Sequence, residues 1–144
     1  MRVLITGSDG YLGALVAPYL CAQGFEVVGL DTGYYKSGWL CSERLTQAEG
    51  TRTVMAPATL VRDIRDVKVD DLRGFDAIVH MAELSNDPLG ELIGEVTYDV
   101  NHLGSVHLAK LAKQAGVQRF VYMSSCSVYG VAEGVVDHGP GLTG

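Results

Sequence analysis

The sequence predicts an α/β protein built on a doubly wound parallel sheet, incomplete at its C-terminal end. Short apolar runs of strand length alternate along the chain with segments whose apolar residues recur at helical spacing, the pattern of a parallel sheet with helices on both faces. The first run, Arg2–Thr6, is followed at once by Gly7, Gly10 and Gly13 in a Gly-x-x-Gly-x-x-Gly spacing. The second run ends in Asp31, eighteen positions after Gly13.

The elements follow in order. Arg2–Thr6 is the first strand, and Leu12, Leu15, Val16, Tyr19 and Leu20 form one buried face of a helix that stops at Gly24. Pro18 falls inside that helix and predicts a kink. Phe25–Leu30 is a second buried strand. The stretch from Thr32 to Pro57 is too long for a simple strand-to-helix link, so it reads as a loop with a helix-compatible segment near Ser42–Ala48. Ala58–Arg62 is a short third strand, followed by a short helix over Val67–Leu72. Phe75–His80 is the fourth strand. Asp87 and Pro88 make an N-cap and first-turn pair opening a long helix to Ala115, closed by Gly116, with Gly94 and Gly104 weakening it. Arg119–Met123 is the fifth strand.

Composition narrows the function classes. A chain of 144 residues that is 47% hydrophobic and 19% charged suits one domain with a real core. A formal charge of −6, with no Lys/Arg cluster, argues against nucleic-acid and anionic-membrane surfaces. No apolar run reaches transmembrane length and the start has no signal-peptide pattern, so a cytoplasmic protein is expected. Cys21, Cys41 and Cys126 are odd in number and widely spaced, and the four histidines are scattered, so neither disulfides nor a metal site is expected. His80 reads as a packed strand-end histidine, His102 and His107 as helix-surface or helix-interface residues.

The glycine turn carries the chemistry. A strand that reverses sharply into a helix presents unpaired backbone N–H groups and the positive end of the helix dipole to an anion. Gly7 permits the turn, Gly10 lets a pyrophosphate approach, and Gly13 lets helix and strand pack closely. A carboxylate at Asp31 accepts hydrogen bonds from adenosine ribose hydroxyls and repels a 2′-phosphate, so NAD is favoured over NADP.

The residues after each strand then read as one set. The glycine triplet, Asp31, Asp63-Ile64, His80-Met81-Ala82, Asn101-x-x-Gly104 and Ser124-Ser125-Cys126-Ser127-Val128-Tyr129-Gly130 together resemble the extended short-chain dehydrogenase/reductase family, especially its nucleotide-sugar epimerase and dehydratase branch. The resemblance implies a single Rossmann-type NAD-binding domain over residues 1–144, with the C-terminal substrate-binding part absent. It implies that Gly7, Gly10, Tyr11 and Leu12 contact the pyrophosphate and that Asp63 accepts from the adenine amino group, with Ile64 on the ring. It also implies that Met81, Ala82 and Glu83 lie along the pyrophosphate and nicotinamide side, that Asn101 stands near the active site, that Asn101 and Ser124 belong to the cofactor-binding set, and that Ser125 is the catalytic hydroxyl. Read by itself, Asp63 also suits the N-cap of the helix that follows, and Ser124 and Ser125 suit strand-end turn hydroxyls. Glu83 departs from the family's small residue, and a carboxylate there repels a pyrophosphate unless turned away.

One part of the family's machinery is missing. Its general base is a Tyr-x-x-x-Lys pair, and none of the seven tyrosines here has a lysine four positions on. The preferred reading is the NAD-binding portion of a nucleotide-sugar C4 epimerase, inactive alone and free to form homo-oligomers. The alternatives are a stand-alone NAD-binding sensor or partner-binding module, and a reductase, dehydrogenase or dehydratase. Dehydration is disfavoured because Ser125-Cys126-Ser127 stand where dehydratases carry Thr-Asp-Glu.

Overall fold

The computed structural model describes residues 1–34, 57–85 and 92–125. The expected helical segment at Ser42–Ala48, the Asp87-Pro88 cap and the Cys126–Gly130 stretch lie outside the described residues. Five parallel strands form one sheet in the order β3-β2-β1-β4-β5: β1 Arg2–Thr6, β2 Glu26–Asp31, β3 Thr59–Val61, β4 Ala77–His80 and β5 Arg119–Tyr122. Val3 pairs with Val27 of β2 on one side and with Ala77 of β4 on the other. The order reverses at β1, which puts a crevice at the carboxyl ends of β1, β2 and β4.

Side chains alternate across the sheet and build a core on each face. Leu4, Leu30 and Ile78 face one way, onto Leu108 and Ala112 of helix α3 (Ser105–Ala115). Val3, Ile5, Val27 and Ala77 face the other way, onto Ala17 of helix α1 (Gly13–Ala22). Each fully buried Leu or Ile contributes about 1.5–3 kcal/mol, so the two faces share the stabilisation. Pro18 stands inside α1, in its second half.

Two expected helices take other forms. The segment after β3 makes two 3₁₀ turns, Ile64–Asp66 and Val69–Leu72, in place of one helix over Val67–Leu72. The long helix reaching Ala115 is divided: α2 (Gly94–Tyr98) passes through a π-helical turn, Asp99–Gly104, into α3. At the end of that turn a Cβ on Gly104 would meet Ile64 Cδ1 at 2.9 Å, so the backbone approaches the buried Ile64 closely. Gly116, at φ +81°, closes α3 as expected.

Candidate functional site

The crevice at the switch point is a cleft of about 230 Å³. Gly7, Gly10, Asp31, Asp63, Ile64, Met81, Ala82 and Glu83 all border it, gathered from the ends of β1, β2, β3 and β4. Gly7 has φ +74°, and a Cβ on it would stand 2.9 Å from the Met81 and Ala82 backbone. At Gly13 a Cβ would fall 2.0 Å from the Gly7 carbonyl oxygen, which excludes any side chain. The turn is pinned by Gly7 N–H donating to Leu30 O at 2.8 Å. Tyr11 and Leu12 are exposed at its crest, and Leu12 caps α1 without a side-chain hydrogen bond. The first turn of α1 also holds no acidic residue, so nothing in it neutralises the positive end of the helix dipole.

Asp31 is 9% exposed and its two oxygens are held by the backbone. Oδ2 accepts from Asp9 N–H at 3.0 Å and Oδ1 from Gly33 N–H at 2.8 Å. Each oxygen has two lone-pair sites, so acceptor capacity remains for hydroxyl donors. Asp63 does cap the 3₁₀ turn, accepting from Arg65 N–H at 2.9 Å, and Arg65 also grips both its oxygens with the guanidinium. Those hydrogen bonds hold the Asp63 carboxyl below the usual carboxylate range. Arg65 reaches on to Asp99 at 2.7 Å, tying the 3₁₀ turn to the π-helical turn. Ile64 is buried beneath Gly104 and edges the cleft as well.

Behind the β4 wall runs a one-way chain of hydrogen bonds. Ser105 Oγ donates its only proton to Asn101 O at 2.6 Å, so it accepts from His80 Nε2 at 2.8 Å. His80 therefore carries its proton on Nε2, and Nδ1 accepts from Thr6 Oγ1 at 2.6 Å. Thr6 Oγ1 in turn accepts from Met81 and Ala82 N–H at 3.2 and 3.3 Å. His80 is fully buried, and burial pushes its imidazole down to about 4, so the ring is neutral at ordinary pH.

Asn101 borders a second, shallower cleft with Tyr122 and not the one at the switch point. Its side chain clasps the Leu84 backbone from both ends, Oδ1 accepting from Leu84 N–H at 2.8 Å and Nδ2 donating to Leu84 O at 3.0 Å. Glu83, one residue earlier, directs its carboxylate at the Tyr122 hydroxyl, and that contact pushes Tyr122 up to about 12. Ser124 and Ser125 follow β5, exposed and outside the main cleft's lining. Sequence reading missed Arg65, Thr6, Ser105 and Tyr122. An arginine two positions after a capping aspartate was the only local signal among them.

Residues 3–140 match the NAD dependent epimerase/dehydratase family. A UDP-glucose 4-epimerase of Klebsiella pneumoniae is 28% identical over 138 residues, 90% of this chain and 93% of that protein. One from Neisseria gonorrhoeae is 35% identical over 143 residues, 94% of this chain and 40% of its own length. Among solved structures, the UDP-glucose-4-epimerase of Stenotrophomonas maltophila with bound NAD and formylated UDP-arabinopyranose superposes with TM-score 0.80 at 32% identity, covering 93% of this chain and 40% of that one. The chain thus spans about two fifths of the length of the latter two proteins.

Proposed function

The chain belongs to the NAD dependent epimerase/dehydratase family, and from that membership we propose that it is the NAD-binding portion of a nucleotide-sugar C4 epimerase, without turnover of its own. The observation that carries the reading is the start of α1: a glycine turn too tight for side chains at Gly7 and Gly13, opening on a helix end with neither a side-chain cap nor an acidic first turn. Such an end suits a pyrophosphate. Asp31, fixed by two backbone amides, offers its remaining lone pairs to ribose hydroxyls. The similarity to UDP-glucose 4-epimerases supports the sugar-nucleotide class.

NAD, when bound, supplies a hydride acceptor and donor for chemistry at a sugar carbon. Ser125, just past β5, is assigned the hydroxyl that orients the substrate oxygen. Asp63 is assigned the adenine amino group, sharing its carboxylate with Arg65. Tyr122 is no substitute for the missing general base, because its hydroxyl is held protonated beside Glu83.

Calorimetric titration tests the proposal. NAD binding at least tenfold tighter than NADP is expected, a difference of about 1.4 kcal/mol, because Asp31 repels a 2′-phosphate; equal or tighter NADP binding overturns it. Incubation with UDP-glucose and NAD is expected to yield no UDP-galactose, and turnover that disappears in Ser125→Ala would overturn the inactive reading.

A further inference from the structure

Glu83 stands apart from the other carboxylates on the cleft wall. Asp31 is answered by two backbone amides and Asp63 by Arg65. For Glu83, among the described residues, no cation stands within ion-pair distance. The Tyr122 hydroxyl serves the carboxylate, yet Oε1 is buried and has no hydrogen-bond partner. A buried carboxylate oxygen without a donor is costly, and such a cost persists where a ligand relieves it. The backbone at this point is also held firmly, with Ala82 N–H on Thr6 and both Leu84 groups on Asn101. The side chain is therefore presented from a fixed base.

Strand order says what reaches it. Asp31 ends β2, the glycine turn leaves β1, and Glu83 follows β4, the next strand across. A dinucleotide with its adenosine at Asp31 and its pyrophosphate at the turn runs on toward β4, about 5 Å per strand. We infer that Glu83 is a ligand-binding residue whose buried oxygen accepts a hydrogen bond from an O–H or N–H donor in the non-adenosine half of the dinucleotide, while Tyr122 holds the carboxylate in place. This rests on the NAD-binding reading. It also resolves the repulsion expected from sequence, since the charge is drawn toward β5 and away from the phosphate turn.

The test is calorimetric titration of the 144-residue chain and its Glu83→Gln and Glu83→Ala variants with NAD, ADP-ribose and ADP. Both substitutions are expected to weaken NAD roughly tenfold or more and to leave ADP within about twofold. ADP-ribose separates the two donors: it weakens with NAD if a ribose hydroxyl is bound, and holds its affinity if the carboxamide N–H is. Glu83→Gln keeps the side chain's size and is expected to hold or raise the melting midpoint without ligand, which separates lost contact from lost folding. Unchanged NAD affinity in both variants, or an equal loss for ADP, overturns the inference alone. A wild-type chain that binds neither NAD nor ADP overturns the cofactor reading and this inference with it.

Discussion

His80 is a neutral, fully buried imidazole between two hydroxyls, and that makes it a source of acid sensitivity. Its folded-state pKa, about 4, lies below the ordinary value of 6.5 because burial disfavours the charged ring. Between those values the unfolded chain binds the extra proton, so stability is complete above pH 6.5 and drains away as pH falls toward 4. The loss between pH 7 and 4.5 is expected to be roughly 2–3 kcal/mol. Urea unfolding at the two values checks it, and His80→Asn is expected to be less stable at pH 7 but nearly flat across the window. The residues legible in the sequence were those whose placement is written into local backbone geometry. Gly7, Gly13 and Asp31 are of that kind, since a turn and a strand end fix them. The partners of His80 and Glu83 were hidden because Thr6, Ser105 and Tyr122 arrive from other elements, with Thr6 74 positions from His80.

The helix after the cleft shows why a helical pattern alone misleads about shape. Helical apolar spacing predicts an unbroken helix, and the segment is helical, but the π-helical turn at Asp99–Gly104 interrupts the regular register. That turn sets Asn101 where it can hold Leu84 at both ends, and its carbonyl where Ser105 can donate to it. A π turn at such a place is a common mark of a functional region. Asn101→Ala is expected to leave the Leu84 N–H and C=O without their side-chain partner and to cost about 2–3 kcal/mol, read as a lower melting midpoint. Asn101→Asp, which keeps the acceptor and loses the donor, is expected to fall between. Strands were more legible than helices, because their apolar runs need no register. Their ends shifted by a residue or two: β2 extends to Asp31 and β4 begins at Ala77.

At the scale of the whole molecule, the sheet is covered unevenly. β5 is its outer strand among the described residues, and Val121 and Tyr122 are 48% and 47% exposed, with Met123 exposed just beyond. An exposed apolar strand edge is a template for pairing. The chain is therefore expected to self-associate with rising concentration, with sedimentation velocity showing a growing average mass, and a single monomeric boundary throughout the range would refute this. A charge of −6 opposes association, so added salt is expected to favour it.

The position of β1 at the middle of the sheet also sets a schedule. Arg2–Thr6 is synthesised before both of its neighbours in the sheet, yet its second neighbour includes Ala77, and the glycine turn that follows it packs against Met81 and Ala82. Until Ala77–His80 has emerged, that strand has one flank open and the glycine turn has no wall to close on. Distant pairings of this kind slow folding and leave apolar edges open meanwhile. A strand made before both of its partners is thus among the last to be enclosed, and the window in which a nascent chain needs protection opens when Arg2–Thr6 emerges and closes only after Ala77–His80.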